Sequence, residues 1–328
     1  MRLKINLKQQ GKRNKEVKLI GVGRRGLLAF PLLRNEPHPN FLRSNMKPTL
    51  IIDCNALGHT VKHSLGELTH EDLQVGVIYG FLFRILYLAR LFETNQFVFC
   101  WDSSTNIRYD IFPDYKKKDK EFTEQEKDEN GAVHDQFDIL RKKVLPALGF
   151  KNIFMQKGRE GDDVIASVVK NTSNIKRLII VSSDNDMYQL MDPCCSMYLL
   201  KSKKEFTQND FMEKYNIFPE QWAEVKSLAG CTGDKVPGIK GVGYQTAIKY
   251  LKEQLTKGVV FDRIKNSDDV IEFTKRLVVL PIEGTRPITL HPTETFDIEQ
   301  IIQVLETYDM YTLTSGVNYQ TWKEIFCG

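Results

Sequence analysis

The sequence lacks several features, and each absence narrows what the chain can be. No run approaches the roughly 20 apolar residues that span a bilayer. The most apolar helix-like stretch, residues 75–92, is interrupted by Arg84 and Arg90 and reads as a buried core helix. The six cysteines (Cys54, Cys100, Cys194, Cys195, Cys231 and Cys327) form no CxxC pair of the kind that holds zinc, and no secretory signal precedes them. They are expected to be reduced thiols in a cytoplasmic protein. No internal repeat is present, so a repeat architecture is not expected.

What is there suits a globular protein. At 328 residues and 41% hydrophobic content, the chain can bury one large core or two medium ones. Its net charge of +4 is unevenly spread: residues 1–45 hold eleven Lys and Arg against Glu16 and Glu36, a balance of +9, which leaves −5 for the rest. Those 45 residues, with GKRNK, GVGRR and NEPHPN, show no sustained periodicity and read as a basic, poorly ordered extension. A dispensable or non-native leader, a nucleic-acid-binding arm and a targeting peptide all fit it, and Met46 is a candidate start of translation.

From Thr49 the pattern becomes β/α. Short apolar runs at 50–53, 96–101, 152–155 and 178–182 read as strands, with a helix over 71–92 and another opening near Asp162. Strands alternating with helices predict an α/β fold with a mainly parallel central sheet flanked by helices. After residue 215 the chain turns helical, with helices expected at 219–229, 244–255, 298–306 and 321–326. The expected division is therefore an extension (1–45), a catalytic part (46–215) and a helical part (216–328).

Three segments carry chemistry. In Gly158-Arg159-Glu160-Gly161-Asp162-Asp163, three acids open a helix, an arrangement that also serves simply to cap one. In Ser182-Ser183-Asp184-Asn185-Asp186, two acids follow a buried strand, as they do in many polar turns. Asp53 and Asp102 also follow strand ends, so the acids would meet at the edge where open α/β sheets bind ligands. So many carboxylates share a pocket only when cations neutralise them, and oxygen donors without nearby His or Cys point to Mg²⁺ or Mn²⁺. Two such ions suit phosphodiester hydrolysis. The third segment, residues 230–247, places Gly238, Gly241 and Gly243 with Asp234, Lys235 and Lys240 between two helices, where backbone N–H groups can approach a phosphate.

In this order and spacing, residues 46–260 closely resemble the 5′-nuclease superfamily: flap endonucleases, bacteriophage 5′-exonucleases and the 5′-nuclease domain of bacterial DNA polymerase I. The free-standing phage or bacterial type is the most similar. The resemblance implies a PIN-like domain, a helical arch near 103–135 and a helix-three-turn-helix at about 219–255. By position, Asp53, Asp102, Glu160 and Asp162 resemble the ligands of a first metal site. Asp162, as a bridge, with Asp163, Asp184, Asp186 and Asp234 resembles the second. Gly238, Gly241 and Gly243 match the turn, where relatives also hold a monovalent cation such as K⁺. Tyr115-Lys116 matches the arch motif, whose lysine meets the scissile phosphate.

Two positions depart from the family. Cys231 stands where prokaryotic relatives usually have aspartate, and Asp119 stands where many carry arginine. Lys120, one helical turn beyond Lys116, is the candidate replacement. The expectation is a monomeric nuclease acting on DNA with 5′ ends, flaps or branches, with RNA–DNA hybrids as a further substrate and no membrane partner. A catalytically weakened binder of branched nucleic acid and a plain PIN-type ribonuclease are the alternatives.

Overall fold

The computed structural model describes residues 47–65, 68–71, 73–117, 123–172, 177–292 and 294–328. The basic extension 1–45, Asp119 and Lys120 lie outside the described residues. Five parallel strands, β1 (Thr49–Asp53), β2 (Phe97–Trp101), β3 (Ile153–Met155), β4 (Leu178–Ser182) and β5 (Cys195–Leu199), are joined by an antiparallel sixth, β6 (Lys204–Phe206). Their order across the sheet is β3-β2-β1-β4-β5-β6. Every residue of β1, β2 and β4 is buried. That is why these strands read as continuous apolar runs rather than as alternating ones.

Alternate side chains feed two cores. Leu50, Ile52, Phe97, Phe99, Ile179 and Val181 point to one face; Ile51, Val98, Cys100, Leu178 and Ile180 point to the other. The first face is covered by α1 (Cys54–Leu65), α2 (Gly76–Phe92) and α3 (Glu124–Ile139). The second is covered by α4 (Gly161–Thr172), α5 (Trp222–Ala229) and α6 (Tyr244–Leu251). The end of the chain returns to the first face, where Ile301, Leu305, Leu313, Trp322 and Phe326 bury against the strands. At roughly 1.5–3 kcal/mol for each such side chain, this packing is ample to hold the segment in place. Among the described residues, no helix is long and apolar enough to cross a membrane.

Two helix limits differ from those expected. The helix expected from residue 71 starts at Gly76, because Thr69–His70 and Leu73–Gln74 pair as two short antiparallel strands, with Glu71 following the first at φ 51°. The helix expected to reach 255 ends at Leu251, where Glu253 adopts φ 56°. A left-handed residue cannot continue a right-handed helix.

Candidate active site

Because β1, β2 and β4 are parallel neighbours, their C-terminal ends place Asp53, Asp102 and the Ser182–Asp184 turn along one edge. Asp53 accepts hydrogen bonds from the Ala56 N–H (3.0 Å) and the Ser182 hydroxyl (2.7 Å). Ser182 Oγ also accepts from the Asp184 N–H (3.1 Å), so this one hydroxyl orients the Asp53 carboxylate and pins the backbone at Asp184. Asp102 accepts from the Gly161 N–H (2.6 Å), which docks the start of α4 against β2. The acids opening α4 are thereby delivered to the same edge.

A pocket there is lined by Glu160, Asp162, Asp184, Asp186 and Asp234 together with Lys116 and Arg108. Asp53 adjoins it: burial raises its pKa to about 6, with Asp102 and Asp184 adding to the rise and the hydrogen bonds from Ala56 and Ser182 opposing it. Burial also raises the Asp162 carboxyl well above its usual range, reinforced by Asp184, Asp53 and Glu160. Both shifts come first from burial, which disfavours the charged form, and then from the neighbouring acids.

Three cations answer part of that charge. Lys116 pairs with Glu160 at 2.5 Å and lies 3.9 Å from Asp234. Lys226, wholly buried on α5, pairs with Asp186 and lies 3.4 Å from Asn185 Oδ1. Arg108, also buried, grips Asp163 with both terminal nitrogens (2.6 and 2.9 Å), donates to the Leu277 carbonyl (3.0 Å) and stands 3.3 Å from Glu160. Eight acids (Asp53, Asp102, Glu160, Asp162, Asp163, Asp184, Asp186, Asp234) thus face three cations. Among the described residues, no group of three His, Cys, Asp or Glu side chains is arranged to hold an ion, and Glu160 and Asp186 are paired with lysines. The donors nevertheless suit a hard divalent cation, being carboxylate oxygens with a surplus of negative charge.

Asp163 does not join the others. It is fully buried, and both oxygens are engaged: by Arg108, by the Ile282 N–H (2.9 Å) and by the Glu160 N–H (3.2 Å). In this structure it is the counter-ion of Arg108, apart from the acids that line the pocket. One residue along a helix turns a side chain by about 100°, so adjacent acids seldom share a face.

The glycine-rich segment folds back on the end of α5. Cys231 and Val236 exchange two backbone hydrogen bonds (3.0 and 2.9 Å), and Gly230 takes φ 71°. A Cβ on Gly238 would stand 2.1 Å from the Ala229 carbonyl oxygen, so only glycine fits there. Gly241 adopts φ 83°, and Gly243 precedes α6 with open space beside it. Lys240 is exposed, its carbonyl taken by Arg263, while Lys235 is half-buried in a left-handed turn. The Lys116 N–H donates to the Asp234 carbonyl (2.9 Å) and the Tyr115 hydroxyl to Glu160 (2.8 Å), tying the 115–117 segment to the acids. The Cys231 thiol donates to Asp234 (3.2 Å).

Three residues at this edge carry no motif that marks them in the sequence: Ser182, Arg108 and Lys226. Lys226 left a weaker signal, because Trp222, Val225, Lys226 and Ala229 lie at apolar-stripe spacing and a lysine in such a stripe needs an acid. Arg108 left none, standing in a charged stretch whose other residues are largely exposed.

The chain matches the family described as "5′-3′ exonuclease, N-terminal resolvase-like domain" over residues 48–216. It is 31% identical over 202 residues to the 5′-3′ exonuclease of Bacillus subtilis, covering 60% of this chain and 65% of that protein. It is 32% identical over 217 residues to DNA polymerase I of Mycobacterium tuberculosis, 63% of this chain and 23% of the polymerase. The chain therefore spans somewhat under two thirds of the first of these relatives and under a quarter of the second. Its fold resembles that of the bacteriophage T5 D15 flap endonuclease, solved in a pseudo-enzyme-product complex with DNA and metal ions. There the TM-score is 0.58 at 18% identity, over 85% of this chain and 97% of the phage protein. With the family match covering more than half its length and the acids gathered at the strand ends, this chain belongs to the 5′-3′ exonuclease family.

Proposed function

We propose that the protein is a divalent-metal-dependent 5′-nuclease that hydrolyses phosphodiesters of DNA as a 5′-3′ exonuclease and flap endonuclease, acting also on RNA in hybrids. The observation that carries this reading is the meeting of acids from α4, the turn after β4 and the glycine-rich segment at one pocket, with Asp53 of β1 and Asp102 beside it, in excess over its cations. The names of relatives support it: 5′-3′ exonuclease for the Bacillus protein, flap endonuclease with DNA and metal ions for the phage protein.

In this reading Asp53, Asp102, Glu160 and Asp162 hold one Mg²⁺ or Mn²⁺, and Asp162, Asp184, Asp186 and Asp234 hold a second. Such a pair supplies an activated water and neutralises charge on the phosphate oxygens. Ser182 orients Asp53 and pins the backbone at Asp184, and Lys226 steadies Asp186. The 103–135 region acts as a helical arch with Tyr115 and Lys116 at its base. The segment 219–255 acts as a helix-three-turn-helix on duplex DNA, with Lys235, Lys240 and the N–H groups after Gly243 meeting phosphates, and with K⁺ held by the turn. Residues 46–215 would be the catalytic part and 216–328 the DNA-binding part. The six free cysteines support a cytoplasmic setting.

The deciding experiment is cleavage of a 5′-flap substrate with Mg²⁺ and with a chelator. Cutting is expected with the metal alone. Binding without cutting in either condition would instead assign a non-catalytic binder of branched DNA.

A second expected outcome concerns Lys116, 40% of whose side chain is exposed at the pocket. If its ammonium stabilises charge developing on the scissile phosphate, Lys116→Ala lowers the single-turnover rate at saturating enzyme by at least ~10-fold, equal to about 1.4 kcal/mol of barrier. Lys117→Ala, which removes an exposed ammonium paired with Asp114, is the control and should change that rate by less than about 2-fold. Equal small losses in both variants would leave the segment a diffuse electrostatic role.

A further inference from the structure

The turn joining β5 to β6 carries Lys201 and Lys203, and β6 opens on Lys204, all three exposed. Among the described residues none of the three ammonium groups is ion-paired. The neighbouring acid is already engaged: Glu205 accepts from the Ser196 hydroxyl (2.6 Å) and faces Arg177 at 3.3 Å. The turn is therefore a patch of three unanswered positive charges.

Its position gives the patch a meaning. β5 runs parallel to β4, with Ser182 opposite Leu199, so the chain leaves β5 at the edge that bears Asp184. The Lys201 N–H donates to Ser183 Oγ (3.2 Å), fastening the turn to the residue immediately before that acid. The Lys203 N–H closes the turn on the Leu199 carbonyl (2.8 Å), and Lys203 itself is held at φ 54°, a conformation glycine adopts without strain. Two strand spacings of about 4.8 Å put β6 about 10 Å to the side of β4. At about 3.4 Å per stacked nucleotide, that is about three nucleotides of one strand.

We propose that this turn is a second phosphate-binding surface, on which Lys201 and Lys203 hold the DNA backbone two to three nucleotides from the scissile phosphate. The inference rests on the nuclease reading, and it adds a grip that sets how far the strand advances into the pocket. A solvated turn would carry the same charges but would show no preference for phosphates at that distance.

The test uses the whole chain with Lys201→Ala and Lys203→Ala combined. Affinity for a 5′ flap should fall about 10-fold, and the slope of log K against log salt should flatten by roughly one to two units, near 0.9 for each phosphate no longer neutralised. A single neutral methylphosphonate linkage is then moved along the substrate strand. At two or three nucleotides from the cut it should weaken binding by the unaltered protein but not by the double variant. Lys203→Gly removes one ammonium while relieving its backbone, so it should bind more weakly with an unchanged or higher urea midpoint; a fall in both would attribute the loss to folding and overturn the proposal. An unchanged salt slope, or the same methylphosphonate profile in both proteins, also overturns it and leaves the nuclease reading intact. That reading fails separately, if the unaltered protein neither binds nor cuts a flap with Mg²⁺.

Discussion

Asp162→Ala should reduce cleavage of a 5′ flap by at least about 100-fold, a barrier increase of about 2.7 kcal/mol, while leaving DNA affinity within about 3-fold of the unaltered protein. The asymmetry follows from its place. Asp162 opens α4 inside the pocket, where burial and then Asp184, Asp53 and Glu160 act on its carboxyl, and in the proposed function it serves both ion positions. Its removal subtracts negative charge from a site that must receive phosphate, which gives no reason for binding to weaken. Titration with Mn²⁺, followed by its paramagnetic signal, should show fewer tightly bound ions than the unaltered protein holds. A variant that keeps more than a tenth of the original rate would mean that another acid bridges the site.

Arg108→Gln is expected to destabilise the fold by about 3–5 kcal/mol, read as a lower urea midpoint. Among the described residues the guanidinium is the one cation paired with the fully buried Asp163, and removing it leaves an uncompensated charge in the interior. Replacing both partners together, Arg108→Met with Asp163→Leu, should recover most of that loss, because a buried ion pair exchanged for apolar side chains of similar volume is often neutral. Asp163→Asn separates counter-ion from ligand. Stability should fall while the number of Mn²⁺ ions bound at saturation is unchanged. A lost Mn²⁺ site in Asp163→Asn would return that residue to the ligand set.

Asp163 marks the limit of what residue order alone can tell. Asp162 and Asp163 are adjacent, chemically identical and equally placed to open a helix. They diverge because α4 turns one toward the pocket and the other toward Arg108, a residue 55 positions earlier. Nothing local to Gly161-Asp162-Asp163-Val164 encodes that partner. Lys226 is a contrasting case: its place in an apolar stripe announced that a buried acid was needed, although not which one.

Much of the architecture was legible along the chain. Continuous apolar runs such as Leu50-Ile51-Ile52 and Leu178-Ile179-Ile180 announce strands covered on both faces. Acids just beyond them mark the binding edge, because a parallel sheet brings all its C-terminal ends to one side. The glycine at 238 was read as allowing a close approach to a phosphate; what the structure shows is a close approach within the chain, a Cβ there standing 2.1 Å from the Ala229 carbonyl oxygen. Periodicity and residue chemistry are local properties, and they were enough to specify four of the six strands of the sheet, the edge and the hard-oxygen character of the acids there, but not β5 and β6. Long-range pairing was beyond them: the Ser182 hydroxyl that reaches Asp53, the grip of Arg108 on Asp163, and the return of Phe326 to Phe97. Those pairings join residues from 55 to more than 220 positions apart, and they exist only once the sheet order and both helical layers are in place.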